Sequence, residues 1–186
     1  MTSDQDLVGV QPARRHHVVQ GDYSVSDDPQ VVLTTLLGSC VAACICDPIA
    51  RVGGMNHFLL PGDDRDSGDE SLRYGVNAME LLINGLIAKG ARRNRLEAKL
   101  FGGGRMMHNL GDVGELNVSF AERFLRDEGI AYVGGSVGGD QGRRVQYWPV
   151  TGRARQSLMT NDVAEVIAAE RRSPVTPEPA GALELF

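Results

Sequence analysis

The sequence predicts an α+β fold with a largely antiparallel sheet and helices segregated to one side of it. Three observations lead there. Short β-branched or alternating runs outnumber helical stretches. Only two long segments carry apolar residues at a sustained helical period. Strands and helices do not alternate regularly, as a parallel doubly wound sheet would require.

The elements follow in order. HHVVQGDYSVS (16–26) alternates weakly and reads as a strand, and VVLTTLL (31–37) is a β-branched run suited to a buried one. VAACICD (41–47) and VGGMNHFLL (52–60) flank Asp47-Pro48-Ile49-Ala50. Proline presets the φ of a turn's second position, so this stretch reads as a hairpin. PGDDRDSGDES (61–71) is an acidic surface loop whose last serine can cap a helix over 72–89. In that helix Leu72, Val76, Met79, Leu82, Ile83, Leu86 and Ile87 share a face, and Gly90 is a natural stop. RLEAKLF (95–101) is a strand running into Gly102-Gly103-Gly104. A second amphipathic helix spans 117–129, with Asn117 as its cap and Gly129 as its terminator. IAYVGG (130–135) is a short strand, and 143–159 is a hairpin turning at Thr151-Gly152. NDVAEVIAAERR (161–172) has the pattern of a last helix. The polar stretch 1–16 reads as a leader, and the proline-rich end as a disordered tail.

Bulk properties narrow the function classes. At 186 residues the chain suits one domain with a sizeable core. A net charge of −5 argues against a nucleic-acid binder driven by phosphate contacts. No apolar run approaches the roughly 20 residues that cross a bilayer, so no membrane insertion is expected. The first residues lack the basic-then-apolar layout of a signal peptide. The expected compartment is the cytoplasm, where the three cysteines stay reduced.

All three cysteines fall within one short stretch, with His57 just downstream. A turn centred between Pro48 and Ile49 pairs Cys46 with Arg51, Cys44 with Gly53, Ala42 with Met55 and Cys40 with His57. Opposed residues have Cβ atoms about 4.5–5.5 Å apart, within hydrogen-bond reach for a thiol and an imidazole. A cysteine needs a base or positive neighbour to become a thiolate near neutral pH, and histidine is suited to share that proton. Gly38-Ser39 precede Cys40, where the backbone can bend and offer N–H groups to an oxyanion. Thr34 and Thr35 stand on the preceding strand, where a hydroxyl could orient the imidazole. Two other readings compete. Buried cysteines usually just pack, the reading preferred for Cys44 and Cys46. Cys40, Cys44, Cys46 and His57 also make four N/S ligands, but C-x₃-C-x-C is not the spacing of common zinc modules.

TTLLGSCVAACICDP followed by GGMNHFLLP resembles the CheD family of bacterial chemotaxis. LEAKLFGGGRMM (96–107), GDVGELNVSFAERFLRDEGI (111–130) and GGDQGRRVQYWPVTGRA (138–154) follow as further family-like blocks in the same order. The resemblance implies a β-sandwich-like core with helices packed on it, as in toxin-type cysteine deamidases. It implies a single catalytic domain over 17–158, with 159–186 outside it. It further implies hydrolysis of glutamine side-chain amides on the cytoplasmic helices of chemoreceptors, through a cysteine thioester. Cys40 would be the nucleophile, His57 the histidine and Thr34 its threonine, with Gly38 and Ser39 lining the site. No metal or organic cofactor is implied. A CheC-type phosphatase is an implied partner, and an alternative reading makes the chain chiefly a regulator of that phosphatase. One departure stands out: the family's Asp-x-Gly-Gly is here Ser136-Val137-Gly138-Gly139.

Overall fold

The computed structural model describes residues 13–60, 68–105 and 113–159, together with residue 168. Its strands are β1 (Arg14–His17), β2 (Tyr23–Ser26), β3 (Val31–Leu37), β4 (Val41–Asp47), β5 (Val52–Asn56), β6 (Glu97–Gly102), β7 (Ala131–Val137), β8 (Gly142–Trp148) and β9 (Arg153–Met159). Helix α1 spans Gly68–Ala88 and α2 spans Val113–Asp127. One sheet has the order β1-β3-β8-β9 and the other β2-β5-β4-β6-β7. Among the described residues, only the β1–β3 and β6–β7 pairings are parallel; the rest are antiparallel.

Every residue of β4 is buried, because this strand separates two cores. Val41, Ala43 and Ile45 face α1 and α2, where Met79, Leu82, Leu86, Phe120 and Phe124 close one cluster. Cys40, Ala42 and Cys44 face the other sheet and pack with Leu33, Leu37, Val145 and Tyr147. Alternation along one strand thus builds a layered molecule of sheet, sheet and helices. The α+β expectation and the sandwich-like core both hold.

Some elements differ from expectation. The run 16–26 splits into β1 and β2, and β1 takes the last residues assigned to the leader, from Arg14. The split comes at a tight turn in which the Asp22 N–H donates to the Val19 carbonyl and Gly21 adopts a φ of 88°. Asn117 is not a cap: α2 begins at Val113, and Asn117 lies on its buried face. The expected helix 161–172 and the tail lie outside the described residues, apart from residue 168. Among the described residues, no helix is long and apolar enough to cross a membrane.

The turn after β4 is longer than a two-residue link. Asp47 pairs with Val52, the Arg51 N–H donates to the Asp47 carbonyl, and Arg51 takes a left-handed φ of 57°. The Asp47 carboxylate accepts from the N–H groups of Ile49, Ala50 and Arg92 and from the Arg95 guanidinium. Burial would raise this carboxyl, but those donors hold it down at about 2.

Candidate active site

The longer turn moves the hairpin register by two residues. Cys44 pairs with Met55, Cys46 with Gly53 and Val41 with Phe58. Continuing that register sets Ala42, not Cys40, opposite His57. Cys40 is one step further along the same face, because a shift of two keeps the face and changes only the partner. Cys40 and His57 are therefore diagonal neighbours. Both are buried, Cys40 at 0% exposure and His57 at 4%.

His57 is held by three segments. Its backbone turns away from β4: its N–H donates to the Asp22 carbonyl, and its carbonyl accepts from the Gly21 N–H. One position earlier, Asn56 Oδ1 replaces a main-chain rung by accepting from the Ala43 N–H, and its Nδ2 donates to the Ala78 carbonyl of α1. The ring's Nδ1 lies 2.9 Å from Thr35 Oγ1 and 3.5 Å from the Val18 carbonyl. Thr35 Oγ1 donates to the same carbonyl at 2.8 Å. A hydroxyl has one proton. With that proton on Val18, Thr35 can only accept from His57, so Nδ1 carries the hydrogen and Nε2 keeps a bare lone pair. Nε2 is buried with no hydrogen-bond partner among the described residues. Burial pushes the imidazole down from 6.5 to about 4, with the Val18 carbonyl opposing and His17 assisting. The ring is neutral at pH 7, as a base must be before it acts.

Thr34, the threonine implied by resemblance, points elsewhere. Its Oγ1 lies 3.4 Å from His17 Nδ1 and 3.5 Å from the His16 carbonyl, on the outer face of β3. Adjacent strand residues face opposite ways, so only Thr35 shares the inner face with Leu33 and Leu37. The hydroxyl that reaches His57 is therefore that of Thr35, and the structure does not bring Thr34 to the ring. The signal was present in the alternation of Leu33, Thr35 and Leu37.

The loop before β4 has its carbonyls tied back to the scaffold. The Gly38 carbonyl accepts from the Gly104 N–H at 2.7 Å and the Cys40 carbonyl from the Gly103 N–H at 2.8 Å. The Ser39 carbonyl accepts from Asn117 Nδ2 at 3.0 Å. In a trans peptide the N–H points opposite to the C=O. The Ser39 and Cys40 N–H groups, which share peptides with the Gly38 and Ser39 carbonyls, thus face away from Gly104 and Asn117. The glycine block must approach closely to do this. A Cβ on Gly102, whose φ is +108°, would lie 2.0 Å from the Cys40 carbonyl oxygen, and one on Gly103 would lie 2.3 Å from a Val118 methyl.

Asn117 braces both halves of the site. Fully buried, it holds Ser39 through Nδ2 and accepts from the Leu60 N–H through Oδ1 at 2.8 Å. It thereby joins the chain just before Cys40 to the chain just after His57. Asn117→Ala orphans a buried carbonyl and a buried N–H. The expected loss is about 2–4 kcal/mol of unfolding free energy, checked by urea denaturation against an exposed control such as Arg123→Ala. The sequence signal was a polar residue at helical spacing from Phe120, Ala121 and Phe124 on the apolar face.

Cys44 and Cys46 are buried core residues. Burial raises both thiols, with a Tyr147 hydrogen bond opposing at Cys46. Among the described residues, no three His, Cys, Asp or Glu side chains gather as a metal-binding group. The departure at Ser136 also has a structural counterpart. Arg143, 2% exposed, donates to the Ser136 carbonyl and hydroxyl and to the Gly138 carbonyl, and burial lowers its pKa. Neutral oxygens of this turn thus hold the guanidinium.

The family model described as CheD chemotactic sensory transduction matches residues 59–157. A Rhizobium rhizogenes protein named probable chemoreceptor glutamine deamidase CheD is 56% identical, covering 94% of this chain and 97% of its own. An Acidiphilium cryptum protein of the same name is 58% identical, covering 94% of both chains. Among solved structures, a Neisseria meningitidis protein of family DUF152 aligns at a TM-score of 0.45 with 13% identity, over 69% of this chain and 64% of its own. The family match over more than half the chain, and the identity to full-length relatives, establish that this chain belongs to the CheD family.

Proposed function

We propose that this protein hydrolyses the side-chain amides of specific glutamines on chemoreceptor cytoplasmic helices, giving glutamate and ammonia, with Cys40 as nucleophile. The observation that carries the reading is the neutral His57, its Nδ1 engaged by Thr35 and its Nε2 unpartnered on the face that holds Cys40. The names of the relatives support the substrate class.

In this reading the Cys40 thiol proton passes to His57 Nε2 and Sγ attacks the amide carbon. The carbonyl π electrons move to oxygen, and the Ser39 and Cys40 N–H groups stabilise that oxyanion. The oxyanion collapses, the C–N bond breaks, and His57 gives its proton to the leaving nitrogen, releasing ammonia. Water then attacks the thioester carbon with His57 as base. The C–S bond breaks, the thiol is restored and glutamate leaves. Thr35 keeps the imidazole in the tautomer this cycle needs, and Asn117 sets the loop that carries the nucleophile.

The test is incubation with a chemoreceptor cytoplasmic fragment, with ammonia release and site-resolved mass spectrometry. Added hydroxylamine should divert the thioester, leaving γ-hydroxamates at the converted positions. Glutamate at defined positions but no hydroxamate would remove the thioester from the scheme. No conversion at all would turn the reading toward a binding role beside a CheC-type phosphatase. The threonine assignment has its own check. Thr35→Val is expected to lower kcat roughly 10- to 100-fold by releasing the tautomer, whereas Thr34→Val stays within about twofold. The reverse pattern, with loss confined to Thr34→Val, would return the role to Thr34.

A further inference from the structure

Gln20 is a residue the mechanism does not use, yet its side chain meets the nucleophile. The turn that separates β1 from β2 places Gln20 at its second position and Gly21 at its third, where a φ of 88° suits a type II turn. This segment is pinned to the site on both sides. The Val18 N–H donates to the Thr34 carbonyl and the Gly21 N–H to the His57 carbonyl, each at 2.8 Å. So held, Gln20 brings Oε1 to 3.5 Å from Cys40 Sγ. Gln20 is half-buried, whereas the thiol it meets is fully buried. Tyr74 on α1 lies near enough to feel the same thiol: its phenol is raised by burial, by Cys40 and by Asp22.

We propose that Gln20 is a specificity-determining residue whose Oε1 accepts a hydrogen bond from the amide nitrogen of the substrate glutamine. The inference rests on the Cys40 mechanism above. The carboxamide oxygen Oε1 accepts from the N–H of a substrate amide, whereas an ester at that position has no proton to give it. Holding one N–H of the substrate turns the nitrogen lone pair of the tetrahedral intermediate toward His57, where the leaving proton comes from. A product carboxylate has no such proton and meets Oε1 as a repulsive neighbour, which favours its release. Sites built to bond an N–H discriminate strongly against analogues lacking it.

The test compares two peptides from a chemoreceptor glutamine helix, one with the native glutamine and one with its γ-methyl glutamate counterpart. Both pass through the same thioester. Gln20→Leu removes the acceptor and keeps much of the volume. It is expected to lower kcat/KM for the amide about 10- to 100-fold while ester hydrolysis stays within about threefold. Gln20→Glu keeps an acceptor and should retain the amide-over-ester ratio of the wild type. Retained ester turnover also reports that the Leu variant is folded. Loss of both activities in equal measure, or of neither, overturns the proposal. Cys40→Ala serves in parallel: if it still converts the amide, the nucleophile assignment itself has failed, separately from any effect at Gln20.

Discussion

Cys40→Ala is expected to yield a folded protein that releases no ammonia. Loss of a nucleophile costs about 10⁴-fold or more in turnover, which places this variant at the floor of the assay. Stability should change far less. The residue is fully buried beside Leu33, Leu37 and Phe101, and removing one sulfur from such a cluster costs about 1–2 kcal/mol. Its backbone anchors to Gly103 and, through Val41, to Phe58 stay in place. Cys44→Ala and Cys46→Ala are the matched controls. They lose similar packing and should keep turnover within a few-fold. Circular dichroism, urea midpoints and ammonia release on the three variants separate packing from chemistry. Turnover in Cys40→Ala, or its loss in Cys44→Ala with the fold intact, would reassign the nucleophile.

His57→Gln is expected to abolish turnover and also to flatten the acid limb of the stability profile. In the unfolded chain the imidazole titrates near 6.5, whereas burial lowers it to about 4 in the fold. Between those values the unfolded chain binds a proton that the native state refuses. The contribution to stability is complete above pH 6.5 and is lost as pH falls through 4. At pH 4.5 the wild type should have given up about 2–3 kcal/mol from this group alone. Urea unfolding at pH 7.5 and 4.5 measures the difference, which should shrink by that amount in the variant. An unchanged difference would mean that the ring is not buried in its neutral form.

Much of this architecture is legible in the sequence. β3 and β4 end where the β-branched runs end, and the β8–β9 hairpin turns where Gly152 stands. Face also survives where register does not. Cys40 and His57 emerge on one face although the turn adds residues, since that addition is even. The turn length is hidden because it depends on Asp47, whose partners Arg92 and Arg95 arrive from a distant segment. Thr34 and Thr35 look equivalent by composition, and only strand parity separates them. Asn117 looks like a cap because asparagine favours caps. Its two clients, Ser39 and Leu60, are far away in sequence, and tertiary contact overrides local preference.

The complete burial of Cys40 sets a requirement on the substrate. A sulfur with no exposed surface cannot be met by a group lying flat on a receptor helix; the target must reach inward to the level of Gln20 Oε1, 3.5 Å from that sulfur. Glutamine carries its amide on two methylenes, asparagine on one. The site therefore measures depth as well as chemistry, and a receptor that exchanges glutamine for asparagine at a target position should pass untouched. With Cys40 as nucleophile, selection would begin with the length of the arm that enters, before any bond is made or broken.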